Sequence, residues 1–239
     1  MLHTRIFAPE IMDDAKQDFV AFSAALADLE RINRLTLAYR PTLRWLDRLA
    51  QGLSADSLTV LDVGAGGGDM LAQVAAWGAR RGVRLELTAL DRSPHAAAHA
   101  QARHPDLTVR WITADLFALD AAENFDVVLC SLFAHHLEDE AVVRFLGWLN
   151  ARARRGWLIN DLHRHPVPWA AVWAGVRLLR MHPMVVHDST VSIARGFSRA
   201  DWQDLLNRAG VAAEIAWAFP FRWTVAGGAC VTLPEGLTA

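Results

Sequence analysis

The chain reads as a single doubly wound α/β domain with a mostly parallel, seven-stranded sheet. Three observations predict it. Five short apolar runs alternate with helical patterns between residues 58 and 161. A glycine-rich turn ends the first of those runs, and two further strand-like runs close the chain.

Residues 1–57 come first and form a helical cap, because no strand precedes them. In DFVAFSAALADLERINRLTL, Phe19, Phe22, Leu26, Leu29 and Ile32 recur at spacings of three and four. Pro41 then suits the first turn of a second helix. The core, residues 58–161, follows. LTVLDVG is a buried strand, and GDMLAQVAAWGARRG a helix that stops at Gly78 or Gly82. RLELTALD is the second strand, and Ser93 with Pro94 starts the next helix. LTVRWITAD and FDVVLCSL are the third and fourth strands. EDEAVVRFLGWLNARA is a helix with acids first and arginines last, which complements its dipole. GWLIND is the fifth strand. Residues 162–197 interrupt the rhythm: VPWAAVWAGVRLLR reads as a very apolar helix and MHPMVVHDSTVSIARGF as irregular chain. Residues 198–239 resume with a capped helix ending at Gly210 and the two closing strands, VAAEIAWAF and FRWTVAG with ACVTL.

Composition excludes several classes. A net charge of −2 gives no extended basic surface for nucleic acid. The two cysteines, Cys130 and Cys230, form no CxxC pair, so neither a disulfide framework nor a thiolate metal site is expected. No apolar run approaches the ~20 residues that span a bilayer, and the N-terminus lacks a leader's apolar core. The expectation is a cytoplasmic protein without a membrane span, monomeric or homodimeric, with no metal site.

The turn Asp62-Val63-Gly64-Ala65-Gly66-Gly67-Gly68-Asp69 joins a strand to a helix. Ligands of doubly wound sheets bind at such strand ends, where glycines let backbone approach and the helix N-terminus offers free N–H groups. Asp69 stands where a dinucleotide fingerprint would place its third glycine. VLDVGAGGGD resembles the first motif of the class I S-adenosylmethionine-dependent methyltransferases, and FDVVLCSLFAHHLED resembles the fourth motif of the ubiquinone/menaquinone-methyltransferase-like group. The resemblance implies a Rossmann-like methyltransferase fold and S-adenosyl-L-methionine as cofactor, with S-adenosyl-L-homocysteine as product. Carried over residue by residue, it assigns cofactor binding to Asp62, Gly64, Ala65, Gly66 and Gly68. It adds Asp91 with Arg92 after the second strand, Asp115 with Leu116 after the third, and Ser131 at the fourth. Asp91 would accept the ribose hydroxyls, and Asp115 would orient adenine.

No Asn/Asp-Pro-Pro-aromatic tetrapeptide follows the fourth strand, which disfavours a nucleic-acid or protein-glutamine substrate. The expectation is O-methylation of a small phenolic or enolic molecule, with C-methylation of an activated ring as the near alternative. A nicotinamide-dependent oxidoreductase and a non-catalytic binding module are the readings from other classes. A hydroxyl nucleophile must lose a proton, so histidines are the candidate bases: His135 and His136 past the fourth strand, His163 and His165 past the fifth, and His187 beside Asp188. Residues 162–197 are the expected substrate lid, with Trp169, Trp173, Met181 and Met184, and Trp45 of the cap, lining a greasy pocket. Asn33, Arg34, Tyr39 and Arg40 would close over the cofactor or an anionic substrate.

Overall fold

The computed structural model describes residues 2–14, 17–51, 57–120 and 122–228. Seven strands form one sheet: β1 (Ser57–Val63), β2 (Arg84–Asp91), β3 (Arg110–Thr113), β4 (Phe125–Ser131), β5 (Ala153–Leu162), β6 (Ala213–Ala218) and β7 (Arg222–Gly227). Their order is β3-β2-β1-β4-β5-β7-β6. β1 to β5 run parallel, while β7 inserts antiparallel between β5 and β6. The doubly wound, seven-stranded, mostly parallel sheet expected from the sequence is therefore present. The ACVTL portion of the last expected strand, with Cys230, lies outside the described residues.

Eight helices accompany the described strands: α1 (Phe19–Leu35), α2 (Arg40–Gln51), α3 (Asp69–Arg81), α4 (Pro94–Arg103), α5 (Asp139–Arg152), α6 (Pro166–Leu178), α7 (Pro183–Arg195) and α8 (Arg199–Ala209). Local chemistry sets their ends. The Asp18 carboxylate accepts from the Val20 and Ala21 N–H groups to start α1. Left-handed Gly68 and Gly82, at φ 73° and 68°, bracket α3. Ser198 and Asp201 form a reciprocal capping box on α8, and Gly210 ends it at φ 62°. None of the described helices is long and apolar enough to cross a membrane.

Side chains alternate along the strands between two cores. Leu58 and Val60 of β1 join Val127, Leu129 and Leu158 against α2 and α3, where Trp45, Leu71 and Trp77 lie. Leu61 and Val63 join Val128, Cys130 and Ile159 against α5 and α8, where Phe145 and Trp202 lie. The parity puts Asp62 on the α2/α3 side at the end of β1. Ala25 of α1 packs with Val176, Met181, Met184 and Val185 of the segment after β5, so the cap and that segment meet over the strand ends.

One expectation of chain organisation is corrected. Residues 183–195, read as irregular, form helix α7. Pro183 sits in its first turn, and His182 Nδ1 accepts from the Met184 N–H. Its buried face mixes Met184, Val185 and Ile193 with Asp188 and Arg195, and those two polar residues break the apolar period that would have announced it.

Replacing Ser198 by Ala removes one half of the α8 capping box at a cost of about 1 kcal/mol. The expected result is a melting temperature lower by roughly 2–4 °C in thermal unfolding; an unchanged value would mean the cap contributes nothing.

Candidate functional site

The strand order reverses between β1 and β4, whose loops leave in opposite directions and open a crevice at their C-terminal ends. A cavity of about 680 Å³ fills that crevice. Its floor is the glycine turn and the ends of β1, β2 and β4. Its walls come from α1, α6, α7 and the N-terminal segment.

The turn is shaped by its backbone. The Gly64 and Ala65 N–H groups donate to Leu90 O at 2.8 and 3.2 Å, tying the turn to β2. A Cβ on Gly64 would lie 2.5 Å from the Phe133 ring, at a φ of +70°. Gly66, at φ +51°, faces the cavity, and its N–H donates to Asp91 Oδ2 at 2.8 Å. The other Asp91 oxygen accepts from the Ser93 N–H at 2.8 Å. Asp91 thus holds the turn open as well as facing the cavity; burial raises its carboxyl above the ordinary range, against the two N–H groups that lower it. Ala65 lines the same space.

Asp62 is buried, and its Oδ1 has no hydrogen-bond partner among the described residues. Burial first, then Asp69 and Asp91, pushes its pKa well above the ordinary carboxylate value. Asp69 is held from the cap, accepting from Tyr39 OH at 2.7 Å and Asn33 Nδ2 at 2.9 Å. Asn33 and Tyr39 therefore tie the cap to the turn, whereas Arg34 pairs with Glu30, and Arg40 is exposed and does not line the cavity. Asp115, Leu116 and Ser131 line the cavity at the ends of β3 and β4, with Asp115 capping a short turn through the Phe117 N–H at 2.8 Å.

Two expected cofactor residues have contacts that the sequence does not announce. Gly68 does not line the cavity; it starts α3, and a Cβ there would meet Ala100 and Trp111 behind the turn. Gly67 takes the place facing the ligand space. Arg92 lines the cavity, but its guanidinium reaches Asp13 O at 3.1 Å and Oδ1 at 3.2 Å, clasping the N-terminal segment.

The histidines separate clearly. His135 is buried in the cavity wall, its Nδ1 2.7 Å from Asp161 Oδ1 and its backbone N–H 3.1 Å from Asp161 Oδ2. Burial alone would raise the Asp161 pKa, yet His135 and the Leu162 and His135 N–H groups outweigh it and keep the carboxyl below the ordinary range. His136 Nδ1 lies 3.0 Å from Asp13 Oδ1, with its ring stacked on Phe133. His187 is corrected: half-exposed, it is bound to Asp188 Oδ1 at 2.7 Å and does not line the cavity. Asp188 does, and it also accepts from the Ile11 and Met12 N–H groups. His163 lines the cavity with its Nδ1 unpartnered among the described residues, while His165 caps α6.

Sequence reading missed Glu10. It is buried 3.9 Å from His135 Nε2 and 3.7 Å from His136 Nε2. These three residues offer ligand atoms within 4.8 Å of one another, a grouping a cation can use where none was expected. Arg195 Nη1 lies 3.3 Å from Glu10 Oε1 and supplies positive charge there already. No spacing signal links residue 10 to residue 135; only the fold brings them together. The aromatic and Met pocket expected from the lid is also corrected. Trp45, Met181 and Met184 are core, and Trp169 and Trp173 do not line the cavity; Val167, Pro168, Ala171 and Val172 do.

Comparison with known proteins adds the family. Residues 60–156 match the model of a methyltransferase domain. The chain is 28% identical over 149 residues to a ubiquinone biosynthesis O-methyltransferase of Pseudomonas entomophila, covering 61% of each chain. It is 30% identical over 170 residues to the protein of the same description from Nitrosomonas europaea, covering 67% of this chain and 64% of that one. The chain thus spans about three fifths of the length of these curated relatives. Among solved structures, a SAM dependent methyltransferase from Aquifex aeolicus shares the fold with a TM-score of 0.60 at 18% identity, over 89% of this chain and 98% of that one. A plantazolicin methyltransferase complexed with SAH gives 0.61 at 14% identity, over 81% and 71%. With this sheet order, this glycine turn and the match over residues 60–156, the chain carries a methyltransferase domain with the Rossmann-like methyltransferase fold.

Proposed function

We propose that the chain binds S-adenosylmethionine on the glycine turn and methylates an oxygen of a small phenolic or enolic molecule held under the α6–α7 segment. The residues present suit that cofactor. Asp62 Oδ1, buried and unpartnered, suits a cationic amino group. The Asp91 carboxylate has lone pairs left for ribose hydroxyls. The start of α3 suits a carboxylate. When bound, S-adenosylmethionine supplies an activated methyl group on a sulfonium.

The buried Asp161–His135 pair carries the choice of oxygen as acceptor. Asp161 accepts the Nδ1 proton, which leaves Nε2 as the free base toward the cavity. A hydroxyl aligned for attack gives its proton to that nitrogen. Positioning and exclusion of water supply the rest, and α6, α7 and the N-terminal segment provide the cover. Relatives described as ubiquinone biosynthesis O-methyltransferases support the same acceptor class.

Calorimetric titration tests the cofactor assignment: S-adenosylhomocysteine is expected to bind, and NADH to give no heat. Binding of NADH alone would overturn the proposal. Gly66→Asp should abolish S-adenosylhomocysteine binding, because a carboxylate would enter the ligand space at a positive φ; retained affinity would displace the ligand from this turn.

Asp62→Asn is expected to weaken S-adenosylhomocysteine binding at least tenfold, a loss of about 1.4 kcal/mol. The same variant should stabilise the ligand-free protein at neutral pH. The raised Asp62 pKa means that the native state favours the protonated form, so stability falls as pH rises through that value. The Asn variant should lose this slope in denaturant unfolding followed against pH; an unchanged slope would clear Asp62 of that role. His135→Gln should lower methyl transfer to a phenolic panel about 10²-fold or more with S-adenosylhomocysteine affinity unchanged. Full activity would remove His135 as base.

A further inference from the structure

Arg222 opens β7 opposite Leu162 and lines the cavity. It is 4% exposed, yet its Nε and Nη1 have no hydrogen-bond partner among the described residues. Nη2 reaches only Thr36 Oγ1, at 3.4 Å. The anion that acts on it, Asp161, is already committed to His135 and to the Leu162 N–H. Tyr39, its other neighbour, donates to Asp69. Burial pushes the guanidinium down to about 10, against Asp161 and Tyr39, so it is charged at neutral pH. A charged guanidinium taken out of water without a partner is costly. The neighbouring His163 Nδ1 is also buried and unpartnered.

We propose that Arg222 is a carboxylate clamp, and that the molecule methylated carries a carboxylate that pairs with its free N–H groups. The inference rests on the methyltransferase reading for what the cavity holds. Three strand spacings of about 4.8 Å separate β1 from β7, and Arg222 pairs Leu162, four residues beyond the level of Asp62, so its backbone stands more than about 14 Å from that of Asp62. The planar fork of arginine matches a carboxylate in two parallel hydrogen bonds. Glu10, Asp13, Asp91 and Asp188 line the remaining wall, and they disfavour a dianion such as a phosphate ester. A monoanionic acid fixed at one end leaves its hydroxyl free to be directed toward His135.

The test uses Arg222→Met and Arg222→Lys beside the parent protein. Thermal unfolding is read without ligand. Affinities are read for S-adenosylhomocysteine and for methylthioadenosine, which lacks the carboxylate. Protocatechuate and its amide are then titrated onto protein saturated with S-adenosylhomocysteine. The expected result is a ligand-free Arg222→Met protein at least as stable as the parent, with unchanged nucleoside affinities. Protocatechuate should bind it at least about tenfold more weakly than the parent, the amide should not distinguish the two, and Lys should restore part of the loss. Loss of S-adenosylhomocysteine affinity alone, with methylthioadenosine unaffected, would give the clamp to the cofactor's own carboxylate and overturn the substrate assignment. A destabilised Arg222→Met with all affinities intact, or a parent that binds acid and amide equally, would overturn the clamp itself. If the parent fails to bind S-adenosylhomocysteine, the methyltransferase reading falls, and the acid-against-amide comparison on ligand-free protein still decides the clamp.

Discussion

The reversal of strand order between β1 and β4 is the constraint on which the site depends. The glycine turn, Asp62, Asp91 and Ser131 meet at the cavity because those two strands send their loops apart. The crevice is kept open by backbone, not by bulk. Leu90 O receives the Gly64 and Ala65 N–H groups, and Asp91 receives that of Gly66, so the turn is fastened to the neighbouring strand. Gly66 can then face the cavity without a side chain of its own.

Around that crevice the protein has gathered more charge than it satisfies. Among the described residues, Asp62 keeps an unpartnered oxygen and Arg222 two unpartnered nitrogens, both buried. Each costs stability in the ligand-free fold, and each gains a partner only from what enters the cavity. The groups that are satisfied serve as struts. Arg195 joins Glu10 and Asp13 to the His135 and His136 carbonyls, and Arg5 joins Asp139 to the Leu137 and Arg195 carbonyls. The N-terminal segment is therefore fixed across the site by ion pairs and hydrogen bonds, with Met12 packed against the α6–α7 cluster.

The sheet was legible in the sequence because its signals are local. RLELTALD corresponds residue for residue to β2, and Ser93-Pro94, Ser198 and Gly210 mark helix ends through their own backbone chemistry. The glycine turn and the two strand-end acids were legible for the same reason. Helix α7 was not, because Asp188 and Arg195 occupy its buried face. Glu10, Asp13 and Arg195 were invisible as site residues, since their meaning arises only when three distant segments meet. His187 misled through its sequence neighbour Asp188, which turns toward the cavity while the imidazole stays outside. Trp45 misled because large aromatics serve core packing as readily as ligand contact, and Trp173 because it stays exposed on α6.

A crystal structure of the complex with S-adenosylhomocysteine tests the central claim most directly. The account predicts the amino group beside Asp62, the ribose hydroxyls on Asp91, and the sulfur facing the space between His135 and Arg222. A nucleoside seated away from the glycine turn, or a ligand whose sulfur points away from His135, would contradict it.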